Sequence, residues 1–383
     1  MFKTINKATP STIIVTFIVG IFLLLLWTIP AFSKESPEWV SRDDRWHLRG
    51  PWNWAMSREL SQLNREFNGI DFGHAHIAET LLSTQDEQKV EKARLEVLDF
   101  IYSSPSVPPD EPQMAPTFAR MVWEVQKTFD WTHTFHRSLY DVFASDKVSD
   151  KEAAYRKILA DYLEKPEAIT KHRLDHHGKL WSFPESKAFR DKFPKFNNQI
   201  WAYHWLQAGV YDVQLMGGAE KQRELMPKII EHYHGYLKNP PLEWQFMPML
   251  PEVAPEFTSR FPEAAAIFDN LHMLHDNMDD ILSSPDLYPT LESKREAMMK
   301  VLQIYLNRNH EPVEQFAEYH EKEMMGGHEG HEMMGHEMGM DMGPRPPSAK
   351  EVLLGKTTDK AHEKPKTMEK PESTHEQHQH GNH

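Results

Sequence analysis

The stretch NNQIWAYHWLQAGVYDVQLM, residues 197–216, decides the fold class. Apolar and aromatic side chains occur nearly all round its helical wheel, which is typical of a helix buried among other helices. The pair Gly217-Gly218 follows directly and is a common helix stop signal. The sequence therefore predicts a central helix that other helices cover.

Segments on both sides of this helix repeat the helical pattern. Further long helices are predicted over residues 116–144 and 262–282, each opened by a proline, which is favoured in the first turn of a helix. The capping box Thr84-x-x-Glu87 starts another. The two-residue alternation of β-strands is nearly absent. We therefore expect an all-α, multi-helix bundle over residues 34–325.

The composition excludes several classes of function. The chain of 383 residues has a net charge of −14 and contains no cysteine. The acidic charge argues against nucleic-acid binding, because that affinity comes from Lys and Arg contacts with phosphates. The lack of cysteine excludes disulfides, thiolate catalysis, iron–sulfur clusters and blue-copper sites. Histidine and methionine are abundant, at 23 and 20 residues, and this points towards metal chemistry.

The N-terminal segment predicts export. Residues 13–29 are almost continuously apolar, and the positively charged Lys3 and Lys7 precede them. This arrangement keeps the amino end in the cytoplasm and exports the rest of the chain. Residues 1–33 are interpreted either as a cleaved signal peptide or as a permanent membrane anchor with a single span. The predicted location is the periplasm or the extracytoplasmic face of the membrane.

The C-terminal residues 326–383 have a different composition. They begin with a degenerate repeat of His-Glu and Met, and then become rich in Lys, Glu, Pro and Thr. Such a segment buries too little apolar surface to offset its chain entropy, so it is predicted to be disordered. Imidazole and thioether ligands together suit copper, and thioethers favour Cu(I). The predicted copper ligands in and just before this tail are Met324, Met325, His328, His331, Met333, Met334, His336, Met338, Met340 and Met342.

Histidines also occur within or beside the apolar stripes of four predicted body helices. Bundles build metal sites from side chains that project inward from facing helices. A core histidine can instead be an ordinary hydrogen-bonded residue, but four such residues would each need a buried partner. No HExxH, paired ExxH or hemerythrin-type pattern is present. The candidate metal ligands of the body are His76, Glu79, His133, His136, His204, His272, His275 and Asp279.

One metal site is expected to collect a histidine from each of these four helices. Glu79 and Asp279 are expected as further ligands, or as acceptors that orient the imidazoles. The four histidines expected to converge are His76, His136, His204 and His275.

Three functions fit these observations. The first is an exported helical metalloprotein that holds copper or iron (or zinc) in a His/carboxylate site inside the bundle, with the tail capturing copper; an open coordination position would make it an oxidoreductase. The second is a non-catalytic periplasmic copper buffer or chaperone that binds metal only through its tail. The third is a bis-histidine b-type haem protein, because haem can be ligated without cysteine. The expected partners are metal ions and, if the N-terminal segment is uncleaved, the membrane. The sequence indicates no particular protein partner.

Overall fold

The computed structural model describes residues 46–174, 183–239, 247–307 and 346–356. Within these ranges the chain forms helices joined by loops, and no strand occurs there beyond one isolated bridge. The predicted all-α class is therefore confirmed for this part of the chain. The predicted signal or anchor segment (residues 1–33) and the predicted metal ligands of residues 324–342 lie outside the described residues. None of the described helices has a stretch long and apolar enough to cross a bilayer.

The described helices differ widely in length. In chain order they are α1 (Ala55–Glu59), α2 (Ser61–Ser83), α3 (Glu87–Tyr102), α4 (Glu111–Met114), α5 (Pro116–Met121), α6 (Trp123–Ala144), α7 (Lys151–Leu163), α8 (Ala188–Lys192), α9 (Pro194–Leu215), α10 (Ala219–Lys238), α11 (Leu250–Val253), α12 (Pro255–Arg260), α13 (Pro262–Ser283), α14 (Leu291–Tyr305) and α15 (Ala349–Leu353). Four of them, α2, α6, α9 and α13, are 22 or 23 residues long.

Helix α9 is the central helix that the sequence predicts. Every residue from Phe196 to Gln214 is buried, and α9 contacts α2 and α6 as well as α10. Pro194 occupies its first turn, where the missing N–H of proline costs nothing. Its burial on all sides explains why the segment shows no separate polar face.

The predicted helix over residues 116–144 is interrupted. Helix α5 ends at Met121 and α6 begins at Trp123, because Val122 between them leaves the helical region with φ −137° and ψ 63°. Val122 is fully buried. Nothing in the local sequence marks this break.

Carboxylates on the long helices hold the short helices in place. Each accepts hydrogen bonds from backbone N–H groups at the start of a short helix, where these groups otherwise lack partners and negative charge is favoured. Glu79 of α2 accepts from the N–H groups of Thr117 and Phe118 at 2.9 and 3.2 Å, at the start of α5. The other carboxylates that do this are Asp141 for α1, Asp212 for α12, Asp269 for α11 and Asp280 for α8.

Part of the segment predicted to be disordered is ordered. Residues 346–356 carry α15, which starts with a capping box between Ser348 and Glu351 and packs against α9 and α10. The indole N–H of Trp205 donates to the carbonyl of Pro347 at 2.9 Å, and Ala349 is fully buried. The composition of this segment did not indicate a helix, because lysines and prolines surround α15 in the sequence. It belongs to the same compact unit as the rest of the described bundle.

Candidate metal centre

The four long helices bring six buried histidines together in the core. Helices α2 and α9 each supply one, whereas α6 and α13 each supply two that lie three residues apart. Their rings are close neighbours, with centroid distances from 3.9 Å between His204 and His272 to 6.2 Å between His136 and His272. We call this group the histidine cluster, and its members are His74, His133, His136, His204, His272 and His275.

Three members of the cluster have the spacing of metal ligands. His74, His133 and His275 each offer one ring nitrogen, and these atoms lie within 4.8 Å of one another. The Nε2 atom of His204 is 3.1 Å from Nε2 of His74. Two nitrogens bound tetrahedrally to one ion, with bonds of about 2.0–2.1 Å, lie about 3.3 Å apart. The spacing around His74 is therefore close to that of a coordination shell.

Several ring nitrogens of these histidines are buried without a hydrogen-bond partner among the described residues. They are Nδ1 of His74, Nε2 of His133 and both nitrogens of His275. A buried polar atom left unpaired costs about 1–3 kcal/mol. One ring nitrogen of each of these histidines can bind a shared metal ion, which accepts an imidazole lone pair without needing a hydrogen-bond donor.

Groups outside the cluster engage the outer nitrogen of three of its rings. Nδ1 of His133 is 2.6 Å from Oε1 of Glu111, and Nδ1 of His204 is 3.2 Å from the sulfur of Met247. Nδ1 of His136 is 2.8 Å from the Tyr211 hydroxyl. Metal-binding histidines commonly hold their second nitrogen in this way, which fixes the ring and leaves Nε2 for the metal.

The charge state of His133 differs from that of its neighbours. Burial, helped by neighbouring histidines, lowers the pKa of His74, His204 and His275 well below the usual value, so these rings are neutral at pH 7. Burial also lowers the pKa of His133, but nearby carboxylates, first that of Glu111, outweigh it and raise the pKa to about 9. The metal-free cluster therefore carries a proton on His133 that a metal ion can replace.

A second group shares His133 and adds carboxylates. Asp71, Glu111 and His133 each offer one ligand atom, and these atoms also lie within 4.8 Å of one another. One oxygen of Asp71 already accepts from the buried guanidinium of Arg137 at 2.6 Å, and Asn68 binds the same guanidinium. Because Arg137 occupies the place of a cation there, the histidine group is the better candidate for metal binding.

On α2, the histidine that lies in the cluster is His74 and not the predicted His76. The side chain of His76 is 26% exposed, lies 3.4 Å from Glu96, and stacks on Phe72. The sequence pattern predicts that the face of the helix that carries Phe72 is the buried one, but Phe72 is only partly buried. The inward face is instead marked by Phe67, His74 and Leu81, spaced seven residues apart. This spacing was the available signal for His74.

Glu79 and Asp279 also lie outside the cluster. Glu79 is used at the start of α5, where it accepts two backbone hydrogen bonds. Asp279 is buried, and burial together with Asp276 and Asp280 raises its pKa well above the usual value. Neither of the two groups of potential ligands among the described residues includes it. The remaining predicted body histidines lie in the cluster as ring neighbours. His133 contacts His275, His204 contacts His272 and His275, and His136 contacts His272.

Glu111 and Met247 were not among the predicted site residues. Glu111 begins a four-residue helix in a proline-rich loop, and Met247 lies on a loop. No periodic pattern could place either side chain beside a histidine of another helix.

Comparison of the chain with protein-family models, with curated proteins and with solved structures gave no match. The class of this protein therefore follows from its own structure. It is an all-α bundle whose buried histidine and carboxylate groups can hold a metal ion.

Proposed function

We propose that this protein is an exported metal-binding protein that holds a copper or iron ion in the histidine cluster. The observation that carries the proposal is the meeting of His74, His133 and His275, whose ring nitrogens lie within 4.8 Å of one another. Unpartnered ring nitrogens at this place give the same indication. Export is supported by the apolar residues 13–29, which follow two lysines.

The donor set favours copper within this proposal. Imidazole ligands suit copper, iron, nickel and zinc, whereas thioethers are soft and favour Cu(I). The buried Met247 sulfur lies on the outer nitrogen Nδ1 of His204, so it orients that ring and is not itself a donor to the ion; the thioethers that favour copper are those of residues 324–342. The methionines and histidines of residues 324–342 would capture copper and supply it to the bundle.

The ring contacts support a metal ion rather than haem. Axial histidines of a haem lie on opposite faces of the macrocycle, which must fit between their rings. In the cluster, the ring centroids of His204 and His272 are 3.9 Å apart, and those of His74 and His275 are 4.3 Å apart. Neither of these two pairs leaves space for a porphyrin between its rings.

Metal analysis of the purified protein, with its absorption spectrum, tests this proposal. We expect copper or iron in the full chain, no Soret band, and retention of tightly held metal when residues 326–342 are deleted. His74→Gln should lose that metal, whereas His76→Gln, two positions along the same helix, should keep it. Loss of all metal with residues 326–342 would instead favour a buffer or chaperone that binds only through this segment.

A further inference from the structure

A second layer of buried polar side chains lies one helical turn from the first. His136 comes three residues after His133 on α6, and His272 comes three residues before His275 on α13. Gln207 comes three residues after His204 on α9. Three residues advance a helix by about 4.5 Å, so three helices each place one polar side chain about that far from the first group.

This second layer also contains unpartnered atoms. Among the described residues, no hydrogen-bond partner exists for Nε2 of His136, for either nitrogen of His272, or for either amide atom of Gln207. These three residues are at most 1% exposed. Burying a glutamine amide with neither atom bonded is costly, because each such atom loses its hydrogen bonds to water. The layer therefore has room for a partner that the described protein atoms do not supply.

The contacts of the neighbouring rings place these side chains together. The ring of His272 lies on that of His204, and its centroid is 6.2 Å from that of His136. Tyr211, one turn after Gln207 on α9, bonds to Nδ1 of His136. Gln207 lies between His204 and Tyr211 in the sequence of α9 and on the same helix face as both.

We propose that His136, His272 and Gln207 bind a second first-row transition-metal ion, so that the histidine cluster is a dinuclear centre. This inference rests on the proposed function, because it needs the first ion in its place. Two imidazoles on opposite sides of one ion have ring centroids about 6.4 Å apart, since each bond is about 2.0–2.1 Å long. The 6.2 Å between His136 and His272 is close to this value. The amide oxygen of Gln207 would be a third, neutral ligand.

The chemistry of the layer suits such an ion. Burial lowers the pKa of His136 and, aided by His133, lowers that of His272 to about 3, so both rings are neutral. Nδ1 of His136 is held by Tyr211, which leaves Nε2 for the metal. The two layers, about 4.5 Å apart, are near the metal–metal spacing of about 3.5–4 Å in two-metal sites. Ordered water is the other possible occupant of the second layer.

Metal counting on the full chain tests the second position. The metal-free protein is loaded with Co(II) or Cu(II) against a competing chelator, and bound ions are counted in the wild type, His136→Gln and His272→Gln. Each variant should hold about one ion fewer per chain, as expected for one position of a two-metal site. His232→Gln, a buried histidine on α10 outside the cluster, should match the wild type. Electron paramagnetic resonance of the Cu(II) form should show coupled ions that become isolated in both variants.

A further variant guards against misfolding of the histidine variants. Gln207→Leu removes only an amide without a partner among the described residues, so the metal-free protein should melt at the same or a higher temperature. It should nevertheless bind the second ion more weakly, by about tenfold or more. If the wild type shows no coupled ions, or if all three variants keep its ion count, His136, His272 and Gln207 hold no second ion and water occupies the layer. Loss of metal in His74→Gln would then still support the first site, whereas an unchanged His74→Gln would overturn both.

Discussion

The Nε2 atoms of His74 and His204 lie 3.1 Å apart, although 130 positions separate the two residues in the sequence. Two neutral nitrogens at this distance repel unless one carries a hydrogen or both bind a cation. The sulfur of Met247 lies against Nδ1 of His204, and a hydrogen on that Nδ1 leaves only a lone pair on Nε2. Burial keeps both rings neutral. The contact is therefore either a single hydrogen bond donated by His74 or one edge of a metal shell.

Metal should stabilise the bundle through His74. An ion that binds only the folded protein raises the free energy of unfolding by about 2.7 kcal/mol when its concentration is a hundred times its Kd. We expect copper to raise the Tm of the wild type and of His76→Gln, but not that of His74→Gln, as measured by thermal unfolding. Equal shifts in both variants would contradict the site.

Metal affinity should rise with pH up to about 9. The pKa of His133 is about 9 in the folded protein, mainly because the Glu111 carboxylate outweighs burial, so metal binding below this pH displaces a proton. The apparent affinity should increase by up to about tenfold per pH unit between pH 7 and 9. Glu111→Gln should flatten this dependence, because the pKa of His133 then falls. Competition titrations at several pH values measure the metal affinity of the wild type and of Glu111→Gln.

The same shift has the opposite effect on the metal-free protein. The pKa of His133 is raised above its unfolded value of about 6.5, so its contribution to stability is complete below that pH and is lost as the pH rises through about 9. Wild-type protein should therefore lose more stability between pH 7 and 9.5 than Glu111→Gln does. Urea unfolding of the two metal-free proteins at several pH values gives the free energy of unfolding as a function of pH. If this dependence is the same in both proteins, His133 is not protonated.

Glu79→Ala should lower stability without changing metal content. The carboxylate accepts two backbone hydrogen bonds at the start of α5, and loss of such a cap costs about 0.5–2 kcal/mol. Urea unfolding measures the loss in the free energy of unfolding, and metal analysis of the same sample measures the bound metal. A loss of metal in this variant would restore Glu79 to the ligand set.

Asp279→Asn should stabilise the protein more at pH 8 than at pH 5. Burial and the neighbouring Asp276 and Asp280 raise the pKa of Asp279 well above its usual value. Its favourable contribution is therefore complete below about 3.8, its unfolded value, and is lost as the pH rises through the folded pKa. The asparagine variant avoids that loss. Tm values of both proteins at the two pH values test the sign, and metal content should stay unchanged.

Met247→Leu should weaken metal binding at the histidine cluster, and to a similar extent for Cu(I) and Zn(II), because the sulfur contacts a ligand and not the ion. Leucine preserves the volume of this buried side chain, so the stability cost should stay below about 1.5 kcal/mol. His204 loses the sulfur beside its Nδ1, and loss of a group that orients a metal ligand typically reduces affinity about 10–100-fold. Met249→Leu, two positions along the same loop, is the matched control. A similar loss in both variants would mean that packing alone is responsible.

Helical periodicity was enough to predict the central helix and five of the six clustered histidines, because apolar stripes follow directly from the spacing of residues. It placed His76 rather than His74 at the site, because Phe72 looked like a core residue and is only partly buried. It could not predict the partners of the histidines. Glu111 reaches His133 from a short helix in a loop, and such a contact depends on how distant elements pack. The role of Glu79 as a cap of α5 was not predicted either, because it too depends on how two helices pack.

The docking of α15 changes how the Met/His-rich residues relate to the bundle. The backbone N–H of Asn307 binds the carbonyl of Ala168, and the carbonyl of Pro347 binds Trp205. Asn307 and Pro347, which flank the Met/His-rich residues in the sequence, are therefore both bound to the bundle. Under the proposed function, a metal ion bound by residues 324–342 would stay at a high effective concentration near the bundle, in about the millimolar range. Its delivery to the core would then be an intramolecular step, with a rate that would not depend on the metal concentration outside the protein.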